Sequence, residues 1–178
     1  MSALYGYVDE SVRPGRYLMA VVLVEPNTAG PTRATLQRLL LPRQRRLHFQ
    51  RESRTRRKQL LKQLALLDVE AVVFACRHEH GRSERPARAV CLAAIVEYVQ
   101  SLDREVTLFI ERREGRDGDD HRVVNRTRRR TPSLDYHHIL PSDDPLVWLP
   151  DCFAWAAGAG GEWLTIVATR VGRPRSVT

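Results

Sequence analysis

Residues Tyr17–Val24 read YLMAVVLV, an unbroken apolar run. A bilayer takes about 20 such residues, so the run is too short to cross one. Rich in β-branched and other apolar side chains, it reads as a strand that extends to Glu25. The segment before it, Leu4–Asp9, alternates Leu4, Gly6 and Val8 with Tyr5, Tyr7 and Asp9 and reads as another strand. Pro14-Gly15 between them is a turn dipeptide, so a β-hairpin opens the chain.

Further along, Thr32–Leu41 reads as a short helix stopped by Pro42. Arg45–Gln50 offers a third strand, with Leu47 and Phe49 on one face and His48 on the other. Ser53 suits the N-cap of a helix running to about Leu67, and Val69–Arg77 is a buried-type strand. Behind Pro86, the residues Ala87, Val90, Cys91, Ala94, Ile95, Tyr98 and Leu102 repeat with helical spacing. Glu105–Glu111 (EVTLFIE) is the next strand. Arg112–Pro132 is charged and without apolar periodicity and reads as a loop, and Leu134–Leu140 offers a sixth strand. Asp144-Pro145 starts an apolar helix, Pro145–Ala157, interrupted by Pro150, with Trp148 and Trp155 on one face in the core. Gly158, Gly160 and Gly161 break it before Trp163–Val171, whose state the pattern leaves open.

This order predicts one α/β domain over residues 1–178, a mixed five- or six-stranded sheet flanked by helices. The early strands are expected antiparallel and the later ones parallel, joined by right-handed crossovers. It is the element order of the ribonuclease H-like fold, an order that other α+β folds share.

The net charge of +8 points toward an anionic partner, nucleic acid first. Of the 29 Lys and Arg residues only Lys58 and Lys62 are lysines. That suits bidentate phosphate recognition, and equally a genome whose base composition favours Arg codons. Met1–Ser11 lacks the basic and apolar regions of a signal peptide. Cys76, Cys91 and Cys152 are odd in number, widely spaced and set in apolar segments, as buried free thiols are. A soluble, reduced, cytoplasmic protein without a membrane segment is the expectation.

Three acids stand where apolar elements end or begin, and a fourth, Glu52, sits just before the basic helix. Asp9 closes the first strand and Glu111 ends EVTLFIE. Asp151 is a lone charge among Val147, Trp148, Leu149, Cys152, Phe153, Ala154 and Trp155. Buried unpaired it would cost several kcal/mol, so it should face a metal, a cation or solvent; a carboxylate beginning a helix after Pro150 is the structural alternative. Glu52 is the single acid between Glu25 and Asp68, amid Arg43, Arg45, Arg46, Arg51, Arg54, Arg56, Arg57 and Lys58, and an ordinary surface ion pair is its alternative role. Carboxylates joined by water and phosphate oxygens are what Mg²⁺ requires, and two such ions can flank a phosphodiester.

The strand ending YVDES, the LHFQRES segment with its Arg-rich helix, the strand ending FIE and the late WLPDCFAWAAGAGG helix resemble the bacterial family called domain of unknown function 3800. The likeness spans roughly residues 4–163 and implies a ribonuclease H-like fold with a metal-dependent acidic active site. By motif, Asp9 matches the first-strand acid, Glu111 the acid after the mid-chain strand and Asp151 the acid of the late helix. Glu52 matches the acid of the His-Phe-x-x-Glu-Ser pattern, with His48 alongside. Val12 departs from the glycine that often follows Asp-Glu-Ser in the family, and Pro150 is expected to redirect Asp151 by kinking its helix. A ribonuclease H strand order of 3-2-1-4-5 puts Val69–Arg77 beside the first strand. Glu111 would then lie about 10 Å away, two strands at ~4.8 Å each, which makes Glu79 the alternative third acid.

His78-Glu79-His80 and His137-His138 lack the paired spacing of zinc ligands. Asp117-Gly118-Asp119-Asp120 lacks the bidentate Glu of a calcium loop. Phosphate-loop, nucleophile-elbow and dinucleotide signatures are missing from the sequence. The sequence therefore predicts a metal-dependent nuclease acting on DNA or RNA. Asp9, Glu111 and Asp151 would hold Mg²⁺ or Mn²⁺ with Glu52 in the catalytic set, while His48, Arg54 and Arg57 contact substrate. The alternative is a nucleic-acid-binding module that does not cut.

Overall fold

The computed structural model describes residues 3–79 and 81–178. Six strands form one mixed sheet: β1 (Leu4–Arg13), β2 (Arg16–Val24), β3 (Glu70–Arg77), β4 (Val106–Glu111), β5 (Leu134–Ile139) and β6 (Arg175–Ser176). The helices are α1 (Pro26–Arg38), α2 (Arg54–Leu64), α3 (Arg85–Ser101), α4 (Asp117–Thr127), α5 (Trp148–Ala159) and α6 (Gly161–Ile166). The strands lie in the order β5-β4-β1-β2-β3-β6.

The β1–β2 hairpin pairs antiparallel from Tyr5↔Val24 to Arg13↔Arg16. Its turn uses Gly15 at φ +75°, a conformation that costs glycine nothing. Because β2 lies inside the sheet, its apolar run is buried on both faces. Leu18, Ala20 and Val22 join the core beneath α1, α2, α5 and α6, while Tyr17, Met19 and Val21 join the core beneath α3 and α4. Sheet and helix layers therefore bury apolar residues on both sides, as crossover connections require. β4 runs parallel to β1, and β5 parallel to β4.

Several expectations need correction. Arg45–Gln50 is not a strand: it is irregular chain leading into a 3-10 turn, Phe49–Arg51. Leu47 and Phe49 are buried as the alternation required, but the ladder position beside β2 belongs to β3, which is antiparallel to it. The sheet order changes accordingly. Val69–Arg77 lies two strands from β1, and β4 is the direct neighbour of β1, with Val8 opposite Ile110. Finally, residues 112–132 are not all loop. They contain α4, whose buried residues are Asp120, Val123 and Val124. So few apolar positions leave no periodic signal, and Asp117, Asp119 and Asp120 suit the positive end of the helix dipole in its first turn.

The N-cap of α2 is as predicted: the Ser53 side chain accepts from the Arg56 N–H at 3.2 Å. Pro150 does not interrupt α5. It lies in the first helical turn, where its missing N–H has no acceptor to lose. The start of α5 is tied down from two sides. Asp144 accepts from Tyr7 Oη at 2.8 Å and from Arg33 Nη2 at 2.7 Å and Nε at 3.0 Å. Trp148 is buried, but Trp155 is only half-buried, with the Arg57 guanidinium 4.5 Å and the Arg13 guanidinium 4.9 Å from its ring centre. Cys91 and Cys152 are buried free thiols and Cys76 is half-buried. Among the described residues no helix is long and apolar enough to cross a membrane.

Candidate active site

Strand alternation sends consecutive acids of β1 to opposite faces. Tyr7 shares the face of α5 and Val8 that of α3, so Asp9 points to the first face and Glu10 to the second. One strand over, Phe109 stacks on Tyr7 with ring centres 4.9 Å apart. Two residues on, Glu111 brings its carboxyl beside that of Asp9. Asp151, in the first turn of α5, closes the group from above. Its Oδ2 accepts from the Phe49 N–H at 3.1 Å and lies 4.0 Å from His48 Nδ1.

These three acids line one cleft of about 340 Å³, together with Glu10, His48, Arg46, Gln50, Glu84 and Arg113. Asp9 is only 5% exposed. Burial first, and then the charges of Glu10, Glu111 and Asp151, push its carboxyl well above the usual range, with Arg113 opposing. Burial also raises Glu111 and Asp151. His48 is lowered by burial and by Arg51, Arg46 and Arg113, against the pull of Asp151. Its Nδ1 is buried without a hydrogen-bond partner.

The remaining predicted residues are placed elsewhere. Glu52 does not line the cleft; its Oε1 accepts from Gln44 Nε2 at 2.6 Å. Arg54 is ion-paired with Glu162 and lies 5.6 Å from the Trp163 ring centre. Arg57 donates to the carbonyls of Phe49 at 3.0 Å and Gln50 at 2.6 Å, so it braces the turn that carries His48. Glu79 is exposed and paired with Arg82, past the end of the more distant β3. His80 lies outside the described residues.

Behind Asp9 is a group of charges that the sequence reading missed. On the α3 face, Glu10 Oε2 accepts from Arg88 Nη1 at 2.6 Å. Arg88 also grips Asp120 through Nε at 2.8 Å and Nη2 at 2.7 Å, and Asp120 lies 3.0 Å from His138 Nε2. Arg88 is 3% and Asp120 2% exposed. A signal for Arg88 existed: it is a lone cation on the buried stripe of α3 with Cys91, Leu92, Ile95 and Val99. At the cleft rim Arg113 Nε contacts Glu10 Oε1 at 2.7 Å, while its Nη2 stands 3.8 Å from Asp9 Oδ1.

An all-oxygen donor set, in a cleft whose acids outnumber the two arginines lining it, fits a hard divalent cation in its chemistry. Among the described residues no three such side chains are already gathered as a ready-made ligand set. Mg²⁺ does not require one, since it is commonly held by one or two carboxylates with water and phosphate oxygens.

No family model matches the chain, and no curated protein matches it. Solved structures do. Ribonuclease H2 from Pyrococcus horikoshii OT3 superposes with a TM-score of 0.57 at 12% identity, over 85% of this chain and 70% of that one. The structure of the PCNA–RNase HII complex from Archaeoglobus fulgidus matches at 0.50 and 12%, over 85% and 69%. At such identity the likeness is one of fold: the chain has the ribonuclease H-like α/β fold.

Proposed function

We propose that the protein is a divalent-metal-dependent nuclease hydrolysing phosphodiester bonds in DNA or RNA, a cytoplasmic member of the domain of unknown function 3800 family. The observation that carries this reading is the meeting of Asp9, Glu111 and Asp151, from two adjacent parallel strands and a helix, in one cleft where burial raises all three. The kinship of its fold with two ribonucleases supports it.

Asp9, Glu111 and Asp151 would hold Mg²⁺ or Mn²⁺. When bound, such an ion offsets charge on the phosphoryl oxygens and acidifies water. Glu111 is the carboxylate best placed to take a proton, being half-exposed at the strand end while Asp9 is deeply buried. His48, its ring partly exposed beside Asp151, contacts substrate. Phosphates are gripped by Arg46, which lines the cleft, and by its exposed sequence neighbours Arg43, Arg45 and Arg51, for which no ion pair is found among the described residues. Arg57 instead braces the turn beside His48, and Arg54 pairs with Glu162. A second reading, a module that binds nucleic acid without cutting it, is favoured by the lack of a ready-made three-ligand set among the described residues.

The test is to incubate the full chain with single-stranded, duplex and hybrid oligonucleotides in Mg²⁺, Mn²⁺ and EDTA. Cleavage confined to the metal samples is expected. No cleavage of any substrate, with salt-sensitive binding that survives EDTA, would leave only the binding module.

A further inference from the structure

We infer that Arg113 is the resident counter-ion of the acidic cleft and that a divalent cation must displace its tip from Asp9 in order to bind. This rests on the metal-dependent reading above and assigns Glu10 a role distinct from that of a metal ligand.

The geometry of Arg113 is asymmetric. At one end Nε makes a 2.7 Å contact with Glu10 Oε1. At the other, Nη2 is 3.8 Å from Asp9 Oδ1, too long for a hydrogen bond. Glu10 itself cannot follow the tip, because Arg88 holds its other oxygen and Asp120 holds Arg88. Glu10 is thus a fixed post, and Arg113 is tethered to it with its free end over Asp9.

Arg113 is also the arginine whose charge answers the cluster most directly. Although burial works against it, Glu10, Asp9 and Glu111 hold its guanidinium firmly charged. Arg46, the other arginine lining the cleft, makes no ion pair with any of its acids. The side chain of Arg113 is 47% exposed, so its tip has solvent to move into while Nε stays on Glu10. An arginine and a divalent ion facing the same carboxylate repel each other, and each weakens the binding of the other by the same factor. Once displaced, the tip remains at the rim, where a phosphate oxygen can replace Asp9 as its partner.

The test is calorimetric titration of the metal-free full chain with Mn²⁺, comparing wild type, Arg113→Gln, Arg113→Lys and Asp151→Asn. Coupling of this kind is typically 5–150-fold, and we expect Arg113→Gln to bind Mn²⁺ about tenfold more tightly than wild type. Arg113→Lys, which keeps the charge, should stay near wild type. Unchanged or weaker binding by a folded Arg113→Gln protein overturns the inference while leaving the metal site standing. If wild type and Arg113→Gln bind Mn²⁺ no better than Asp151→Asn, the metal-dependent reading falls and this inference with it. A second measurement needs no variant. On adding Mg²⁺, the guanidinium resonance of Arg113 should shift with the calorimetric midpoint, and a resonance that stays fixed while metal binds overturns displacement.

Discussion

Asp151→Asn and Asp9→Asn are each expected to abolish divalent-dependent cleavage, by a factor of ~10³ or more, in proteins that remain folded. A bound metal contributes several kcal/mol of charge stabilisation, and each 1.36 kcal/mol is a factor of ten in rate. The fold should tolerate both changes. An Asn side-chain oxygen at 151 still accepts from the Phe49 N–H, so the turn bearing His48 keeps its anchor. At position 9 the folded-state pKa is raised, first by burial and then by Glu10, Glu111 and Asp151. Such a carboxyl contributes stability below its unfolded pKa, and that contribution is lost as the pH rises through the folded value. At neutral pH, therefore, Asp9→Asn should melt at the wild-type temperature or above it. Residual metal-dependent cleavage above about a tenth of wild type would refute the role given to these carboxylates.

Arg88→Met is expected to cost about 3–5 kcal/mol, the usual penalty for removing one partner of a buried ion pair. It would strand Glu10 and Asp120, 6% and 2% exposed, without their shared cation. A domain of this kind has roughly 5–15 kcal/mol in hand, so the urea midpoint should fall sharply. The loss has a pH signature. Burial tends to raise Asp120, but hydrogen bonds from Arg88 and His138 outweigh it and hold the carboxyl below its usual range. A depressed pKa contributes stability above the unfolded value, near 3.9, and that stability is lost as the pH falls through the folded value. The gap between wild type and Arg88→Met should therefore be widest near neutrality and shrink below about pH 4. A gap under about 1 kcal/mol at pH 7 would show that the network is not what holds Glu10.

Features set by local chemistry were legible in the sequence. Pro14-Gly15, the Ser53 cap and the apolar stripe behind Pro86 each depend on neighbouring residues, and the elements they mark form where expected. Partner choice was not legible. Arg45–Gln50 has the alternation of a strand, and nothing within it tells that β3 occupies the neighbouring edge of β2. From that follows the correction of the strand order, which brings Glu111 next to Asp9 and takes Glu79 away. Asp9, Glu111 and Asp151 stood out as charges in apolar company. The second charge group did not, because Asp120 lies in a helix with only two buried apolar residues, Val123 and Val124. Glu52 was singled out by its setting among arginines, yet sequence proximity to His48 did not decide which way its side chain turns.

The acids of the cleft are separated by long stretches of chain, residues 9, 111 and 151, while the β1–β2 hairpin that carries the first of them closes through a local turn. Distant pairings carry the larger loop-closure cost and form late. The mutual repulsion of these carboxyls is felt only once β4 and α5 have docked beside β1. Neutralising one of them should leave the rate of folding unchanged and slow unfolding instead, a change confined to the unfolding limb of a chevron plot.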